Sequence, residues 1–298
     1  MRANINAPLP LVEGIGPSCQ WLPAGPWKTV VEFLRERYPQ VDPLIWKVRM
    51  SKGEVLDETG RVVTSETTYR VGACIFYYRE LDHETTIPFA EQILYQDEHF
   101  LVADKPHFLP VVPAGKFLRE TLLVRLRKAG APDELVPVHR LDRETAGVVL
   151  FSTNPKTRGL YTSLFRSQKV TKVYEAFTPT AKELSFPLTR RSRIIQGNPF
   201  FRMKEVPGET NATTDVSILS NDGTISRCQL VPLTGKKHQL RIHLAALGIP
   251  IINDRFYPVL TPDADDDFSR PLKLLAKSIS FQDPLTNRKH YFESGRTL

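Results

Sequence analysis

The stretch Val138-His139-Arg140-Leu141-Asp142-Arg143-Glu144-Thr145-Ala146-Gly147 runs directly into the apolar residues 148–151. The apolar run predicts a buried strand, and Asp142 stands just before it. Cationic neighbours favour the ionised form of a carboxyl group, and an ionised carboxylate at the end of a rigid strand is a plausible nucleophile or general base. Taken alone, the stretch is better explained as a capped turn with solvated arginines. The rest of the chain has to discriminate between the two interpretations.

The composition is that of an ordinary globular protein. The 298 residues are 41% hydrophobic and 24% charged, and the length suits two domains or one large domain with an appendage. No apolar stretch approaches membrane-spanning length, and the N-terminus has no apolar core of a secretory signal. The cysteines Cys19, Cys74 and Cys228 lack metal-ligand spacing, so they are expected to be reduced thiols in a cytoplasmic protein.

The charge of the chain favours a polyanionic partner. The net charge is +7 and the isoelectric point is near 9.3, and basic proteins gain affinity for nucleic acid by neutralising phosphates. The positive residues are clustered rather than scattered, which strengthens the indication because a patch sums its field. The clusters lie at 119–128, 140–143, 156–172, 190–204 and 236–241.

The N-terminal part of the chain is expected to form an extension and a small domain. Residues 1–26 are rich in proline and glycine and predict an irregular extension. Helical spacing predicts a helix over 27–38 and a second over 42–50. Short strands are predicted over 53–56, 61–63 and 73–78.

This order of helix, helix, "KGEVL", turn and "YRVGACIFYYR" resembles the small ribosomal-protein-type RNA-binding domain often fused ahead of RNA-modifying enzymes. The resemblance covers roughly residues 27–80 and predicts a domain over 27–85. The usual Asn of the hairpin is missing from 53–60. The alternative is a small α+β extension that only packs on the main domain.

A polar linker is expected over 81–88, and the main domain over 88–298. Its strands and helices show no sustained alternation, which favours an α+β class with a mixed, mainly antiparallel sheet and flanking helices. Strands are predicted within 93–106 (two strands) and over 148–151, 170–178, 213–220, 226–232, 272–280 and 289–292. Helices are predicted over 120–128, over 156–166 and before Gly248.

Three details of these elements are testable in a structure. In the first helix Arg125 is expected to stay solvated, and in the second Leu160, Leu164 and Phe165 are expected to form the buried stripe. The basic segment 190–203 is expected to be a loop or hairpin over a cleft. Alternation over the strand at 170 places Lys172 and Tyr174 on the same face.

The sequence contains few other candidates for chemistry. It has no glycine-rich phosphate loop, no helical zinc pair and no nucleophile turn, so no metal or cofactor is expected. In the helix before Gly248, Arg241 lies beside the buried stripe and can reach a buried carboxylate. Asp142 therefore remains the candidate, with Arg140, Tyr174 and Arg241 as possible neighbours.

The residues "HRLDRETAG" over 139–147 resemble the signature of the RluA-type pseudouridine synthases, usually written H-R-L-D-x-x-T-S-G. Further blocks agree in order along residues 88–295: "VADKP" with "LPVVP", "KVYEA", "TGKKHQLRIHLAALGIPIINDRFY" and "RPLKLLAKSISFQDPLT". The resemblance implies the pseudouridine synthase fold, uridine isomerisation without a cofactor, and ribosomal or transfer RNA as the partner of a monomeric chain.

Carried over by position, the resemblance implies that Asp142 is the catalytic aspartate, that Tyr174 lies against the target base, and that Arg241 ion-pairs with the aspartate. It also implies that Arg140 holds the RNA around the flipped nucleotide. The apolar side of the pocket is assigned to Leu272 or Leu274. Further RNA contacts are expected at His139, Lys172, Lys236, Lys237 and His238, although from the residues alone both histidines are hydrogen-bonded orienting groups.

The sequence departs from the family pattern at Ala146, Lys236, Asn253 and Leu275, where Ser, Arg, Gly and His are usual. These changes spare the three catalytic candidates and put in question only which RNA is recognised. The carboxylate can act on the anomeric carbon, on the base, or on a ribose proton. The competing functions are a non-catalytic RNA-binding protein on a synthase scaffold and a metal-dependent phosphodiesterase, for which clustered carboxylates and histidines are missing.

Overall fold

The computed structural model of the chain describes residues 7–81, 83–261 and 266–298. Parts of two sequence predictions lie outside the described residues: the start of the N-terminal extension and Asp82 of the linker. The chain divides into two compact units, Met1–Glu84 and Thr85–Leu298. The division falls inside the stretch that was expected to be a linker.

The first unit is a small α+β structure. Its antiparallel sheet has the order β1-β3-β2, formed by β1 (Ser18–Trp21), β2 (Val55–Asp57) and β3 (Cys74–Tyr77). Helices α1 (Val30–Arg37) and α2 (Pro43–Ser51) bury apolar side chains against this sheet. The core therefore combines two short helices with one face of three short strands.

Local sequence signals account for the starts of both helices. Thr29 and Glu32 form a reciprocal capping box at the N-terminus of α1, which satisfies backbone N–H groups that the helix itself leaves unpaired. Asp42 caps α2 by accepting from the N–H of Leu44, and Pro43 occupies its first turn, where the missing N–H costs nothing.

The first unit corrects two predictions about strands. Ser18–Trp21 is a strand paired along β3, although residues 1–26 were expected to be irregular. The flanking prolines Pro17 and Pro23 lie outside the paired residues, so the backbone between them keeps its N–H donors. Residues 61–63 do not form a strand; Val62 makes only an isolated bridge to Leu56.

The expectation that all the cysteines are reduced thiols is wrong for two of them. Cys19 on β1 and Cys74 on β3 are joined as a disulfide, and Cys228 is a free, buried cysteine. The pairing depends on the strand β1, which the proline-rich sequence did not predict. It removes the cysteine argument for a reducing compartment.

The second unit is built on one large sheet of the order β10-β9-β11-β12-β8-β13-β7-β5-β4, with β14 beside β13 and β6 beside β7. The pairing of β13 with β7 is parallel, and the other pairings among the described residues are antiparallel. This confirms the α+β class with a mixed, mainly antiparallel sheet. The strands are β4 (Gln92–Gln96), β5 (Phe100–Lys105), β6 (Val136–Pro137), β7 (Ala146–Ser152), β8 (Val170–Pro179), β9 (Leu188–Gln196), β10 (Met203–Val206), β11 (Ala212–Asn221), β12 (Ile225–Pro232), β13 (Leu274–Gln282) and β14 (Lys289–Glu293).

Among the described residues of this unit, three helices flank the sheet: α3 (Leu122–Lys128), α4 (Arg158–Arg166) and α5 (Gln239–Ala246). Helix α3 packs its leucines into a core with β5 and β7, and α4 contributes to a second core with β7, β8 and β13. Helix α5 lies on the β8, β11 and β12 part of the sheet. The basic segment 190–203 does form a hairpin, and its strand β9 pairs with β11, so it extends the sheet rather than forming a separate loop.

Two helix predictions need correction. Leu160 is 41% exposed, and Tyr161 takes its place in the core, where its hydroxyl donates to Asp283. Because the acceptor of this phenol is far away in the sequence, the local helical pattern could not predict that Tyr161 would be buried. Arg125 is half-buried rather than solvated, because it pairs with Glu91 and donates to the carbonyl of Phe89.

Gly147 allows the loop over 139–145, which carries Asp142, to join the sheet at β7. Its φ is +114°, and a Cβ at this position would lie 2.2 Å from the carbonyl oxygen of Ala276 on the parallel neighbour β13. Only glycine tolerates both this positive φ and this close contact with a neighbouring backbone. The close approach of β7 and β13 therefore fixes where residues 139–145 leave the sheet.

Candidate active site

A cleft of about 970 Å³ opens over the middle of the large sheet. It is lined by residues 139–145, by Lys172 and Tyr174 of β8, by residues 232–241 and by Leu274. The three residues predicted to be catalytic, which are far apart in sequence, are therefore brought to one cavity. Each is placed by a different element: a loop before β7, the strand β8, and helix α5.

Asp142 lies at the boundary between the cleft and the core. One carboxylate oxygen is 3.4 Å from Nη1 of Arg241, and the other is 3.8 Å from Nε2 of His238. The side chain of Asp142 is 25% exposed, whereas that of Arg241 is 1% exposed. The carboxylate is thus backed by a buried cation and presented to the open side of the cleft.

Arg241 is held by a carboxylate that the sequence did not identify. Asp254 pairs with it in a bidentate arrangement, at 2.8 Å to Nε and 2.7 Å to Nη2. The same carboxylate has no exposed surface and accepts from the backbone N–H groups of Phe256 and Tyr257. Asp254 therefore occupies one edge of the guanidinium and leaves Nη1 for Asp142.

Neighbouring carboxylates keep Arg241 positively charged. Burial alone disfavours the cation, but the hydrogen bonds and charge of Asp254, followed by Asp142 and Glu144, outweigh it and raise the pKa of Arg241. The expectation that Arg241 reaches a buried carboxylate holds. That carboxylate is Asp254, whose only sequence signal is its place in the apolar run around "IPIIND".

A second acid, Glu144, also lies in the cleft. Its Oε2 is 3.7 Å from Nη1 of Arg241, and its Oε1 accepts from Arg143 at 3.1 Å. Burial tends to raise the pKa of Glu144, but Arg241 and Arg143 more than offset this and lower it. The ionised form of Glu144 is therefore favoured in the cleft that also holds Asp142, and sequence reasoning gave Glu144 no role.

The two loop arginines behave differently. Arg143 is not a solvated side chain, because it makes a bidentate pair with Asp266 at 2.7 and 2.8 Å. Arg140, in contrast, is exposed and lines the cleft. The ion pair of Arg143 thus anchors the loop, while Arg140 presents a positive charge to the cleft.

Tyr174 and Lys172 face the cleft from the same side of β8. Burial, and then the charge of Asp142, raises the pKa of Tyr174, so its phenol remains protonated and able to donate a hydrogen bond. Lys172 donates to the carbonyl of Thr234 at 3.4 Å, and burial lowers its pKa. The tyrosine offers a ring face and a hydroxyl next to the carboxylate.

His139 and His238 are held in place by hydrogen bonds. Nε2 of His139 accepts from the N–H of Leu150 at 3.0 Å, its ring stacks on Phe165, and burial lowers its pKa to about 3. Nδ1 of His238 lies 2.9 Å from the hydroxyl of Tyr257, and burial lowers the pKa of His238 as well. Both histidines are neutral groups that fix the walls of the cleft; a contact of either with RNA stays a prediction.

The remaining predicted residues lie at the mouth and on the apolar wall. Lys236 and Lys237 are exposed and line the cleft. Leu272 and Leu274 are both buried in the same hydrophobic core, and Leu274 also lines the cleft. A contact of either leucine with a bound base stays a prediction.

Lys105 supports the loop from beneath. It is completely buried at the end of β5, and its Nζ donates to the carbonyls of Pro106, Leu109 and Arg143 at 2.9, 2.7 and 3.0 Å. Burial lowers its pKa to about 7. A lysine at the end of an apolar strand, followed by proline, was the available signal.

One buried histidine, His243, and two partly buried ones, His107 and His139, predict that stability falls in mild acid. Burial lowers the pKa of His139 to about 3, and of His107 and His243 to about 4. The unfolded chain, with an ordinary value near 6.5, takes up these protons first, so stability is lost as the pH falls from about 6.5 towards 4. Each histidine contributes a slope of about 1.4 kcal/mol per pH unit inside that window.

Urea unfolding of the full chain at several pH values, followed by circular dichroism, measures this slope. The matched control is His83→Gln, since His83 is exposed and its removal should leave the slope unchanged. A free energy of unfolding that is flat between pH 7 and pH 4.5 would contradict the burial of neutral histidines.

Within residues 7–81, 83–261 and 266–298, no cluster of three or more His, Cys, Asp or Glu side chains is arranged to hold a metal ion. In the same described ranges, no helix has the length and apolarity needed to cross a bilayer.

Comparison with known proteins shows the family of the chain. A family model described as RNA pseudouridylate synthase matches residues 99–246. The dual-specificity RNA pseudouridine synthase RluA of Pasteurella multocida is 31% identical over 65% of this chain and 88% of its own length. The mitochondrial tRNA pseudouridine(32) synthase of Saccharomyces cerevisiae is 32% identical over 56% of this chain, which spans only 37% of that relative.

A solved structure shows the same fold. The human RNA pseudouridylate synthase domain containing 1 superposes with a TM-score of 0.58 at 24% identity, covering 72% of this chain and 86% of that one. The family model covers the loop of Asp142, the strand of Tyr174 and the helix of Arg241. The chain therefore belongs to the RluA-type family of RNA pseudouridine synthases and is an isomerase that acts on uridines in RNA.

Proposed function

We propose that Asp142 is the catalytic carboxylate with which this enzyme isomerises an unpaired uridine of ribosomal or transfer RNA. The observation that carries the proposal is the placement of Asp142: its carboxylate faces the cleft with Arg241 3.4 Å behind it. Tyr174 lies on the wall of the same cavity. An acid, a buried cation and an aromatic ring are thus gathered where a base can enter.

The reaction requires little beyond these groups. The bond between C1′ of the ribose and N1 of the base breaks, the base turns, and C1′ bonds to C5. The proton displaced from C5 is balanced by one gained at N1, so no electron donor or acceptor is consumed. Asp142 can act on C1′, on the base, or on a ribose proton, and each route needs the same ionised carboxylate.

The neighbouring residues have distinct tasks. Arg241 fixes and aims Asp142, because Asp254 immobilises the other edge of the guanidinium. Tyr174 provides a face against which the detached base can turn, and its protonated hydroxyl can pass a proton to the ring. Leu274 closes the cavity on the apolar side.

The cleft favours a nucleotide that is already unpaired. A uridine in a helix has to leave its stack, which costs a few kcal/mol, whereas a loop uridine avoids most of that cost. Arg140, Lys236 and Lys237 surround the opening with positive charge. These side chains are suited to the phosphates on either side of the flipped residue.

The proposed substrate classes are supported by the names of two relatives, one of which acts on tRNA and one of which has dual specificity. The test is pseudouridine mapping of total RNA from cells with and without the gene. We expect one or a few uridines to lose their modification, and purified protein to restore it on RNA from the deletion strain. RNA in which no site is lost, and to which the protein adds none, would overturn the proposal.

The first unit is proposed to add RNA affinity. Helix α2 carries exposed Lys47, with exposed Lys52 directly after it, and Arg61 is exposed on the same unit. Removal of residues 1–84 is expected to weaken RNA binding at least about tenfold, because a second linked contact multiplies affinity. Electrophoretic mobility shifts and site mapping with the shortened chain measure this. Unchanged affinity and site choice would reduce the unit to a packing element.

A further inference from the structure

The hairpin of β9 and β10, together with its turn over 197–202, is here called the arm. At its tip Phe200 is 75% exposed, the highest value among the large hydrophobic side chains that the structure describes. An apolar side chain this exposed does not stabilise an ordinary turn, because apolar surface gains no free energy from contact with water. An exposed aromatic ring on a basic arm is typical of a surface that stacks on nucleic-acid bases.

A continuous series of aromatic contacts ties this tip to the active site. The ring of Phe200 is 5.7 Å from that of Phe201, and Phe201 is 5.4 Å from Phe256. Phe256 in turn packs under the guanidinium of Arg241 at 4.7 Å and beside His238 at 5.6 Å. The tip is therefore supported by the same two side chains that contact Asp142.

The strand β9 carries two arginines without acidic partners. Arg191 and Arg193 occupy alternate, exposed positions of β9 and form no ion pair among the described residues. Arg190, on the same strand, pairs with Glu205. Arg193 lies across Gly208, where a Cβ would come within 2.6 Å of its Nη1. The glycine thus leaves room for a guanidinium held along the surface.

The arginines line a groove that leads towards the cleft. This groove, of about 390 Å³, includes Arg191, Arg193 and Thr210. The next residue, Asn211, lines the catalytic cleft and is bonded to Ile194 of the arm. Glu205 also lines this groove, and its carboxylate is paired with Arg190. A strand of RNA leaving the cleft can follow the groove along Arg191 and Arg193.

We propose that the arm is a second RNA-contact site, in which Arg191 and Arg193 bind phosphates and Phe200 stacks on an unpaired base outside the catalytic cleft. The ligand is a single-stranded loop segment of the RNA that contains the target uridine. The inference rests on the proposed function, because it assigns the arm to the same substrate. Unpaired cations and an exposed ring on one hairpin match the two chemical features of such a segment, its phosphates and its base faces.

The test uses the full-length protein and two fluorescent RNA probes: a stem-loop with an unpaired, uridine-rich loop, and a fully paired duplex of the same stem. Phe200→Ala is expected to weaken binding of the stem-loop about 5- to 100-fold, and Phe200→Trp to restore it. Binding of the duplex is expected to change little. Tyr291→Ala, which removes a 60% exposed ring on β14, is the matched control.

The charges of the arm are tested by salt dependence. The double variant Arg191→Gln with Arg193→Gln is expected to reduce the slope of log affinity against log salt by about 1.4, which is about 0.7 for each lost phosphate contact on a single strand. Arg288→Gln, at an exposed position after the β13 strand, is the control. Far-ultraviolet circular dichroism confirms that each variant is folded.

Affinities of the arm variants equal to those of the two controls would overturn the inference. Equal losses on the stem-loop and on the duplex would also overturn it, because stacking on an unpaired base requires the difference. The proposed function is judged separately, by whether the wild-type protein forms pseudouridine in RNA from the deletion strain. If the wild type forms pseudouridine but the arm variants bind RNA as well as the wild type does, only the inference about the arm is rejected.

Discussion

Replacement of Asp142 by Asn is expected to lower the rate of pseudouridine formation at least about a thousandfold, while RNA affinity changes by less than about threefold. The amide has nearly the shape of the carboxylate, so it can stay beside Arg241 and His238. It carries no charge, however, and can act neither as nucleophile nor as base. Single-turnover kinetics separate the chemical step from binding.

Asp133→Asn is the matched control for this variant. Asp133 is an exposed acid of the same unit that does not line the cleft, so its replacement removes one charge from the protein without touching the site. Its activity should equal that of the wild type. Substantial activity in Asp142→Asn would transfer the chemistry to another group, and the first to test would be Glu144.

Replacement of Arg241 by Met is expected to have the second large effect. It strands the carboxylate of Asp254, which has no exposed surface, without a cation. Breaking a buried pair in this way costs about 3–5 kcal/mol of stability. Activity should also fall, since Asp142 loses the group that aims it.

A compensating variant separates the two effects. Asp254→Asn, added to Arg241→Met, removes the stranded charge, and the amide oxygen can still accept from the N–H groups of Phe256 and Tyr257. Much of the lost stability should return in urea unfolding, but activity should not. Recovery of activity together with stability would show that Arg241 acts only through the fold.

Local sequence patterns predicted the element that carries each of Asp142, Tyr174 and Arg241. Asp142 precedes an apolar run that forms β7, and alternation along β8 set the direction of Tyr174. Arg241 followed from the helical stripe of α5. The ordered resemblance to a known family then brought these separate elements together, which periodicity alone cannot do.

The supporting residues were not predictable in the same way. Asp254 and Lys105 act through partners far from them in sequence or through backbone carbonyls, and neither kind of partner leaves a local pattern. The strand β1 was missed because its pairing with β3 offset a proline-rich composition. The burial of Tyr161 depends on Asp283, more than a hundred residues away in the chain.

The most direct test of the account uses the hydrogen that the reaction must displace. RNA from the deletion strain, labelled with tritium at C5 of uridine, is incubated with the wild-type protein or with Asp142→Asn in excess chelator. We predict that the wild type releases one tritium to water for each pseudouridine formed, and that Asp142→Asn releases none. Release by Asp142→Asn at the wild-type rate would contradict the assignment of the catalytic carboxylate.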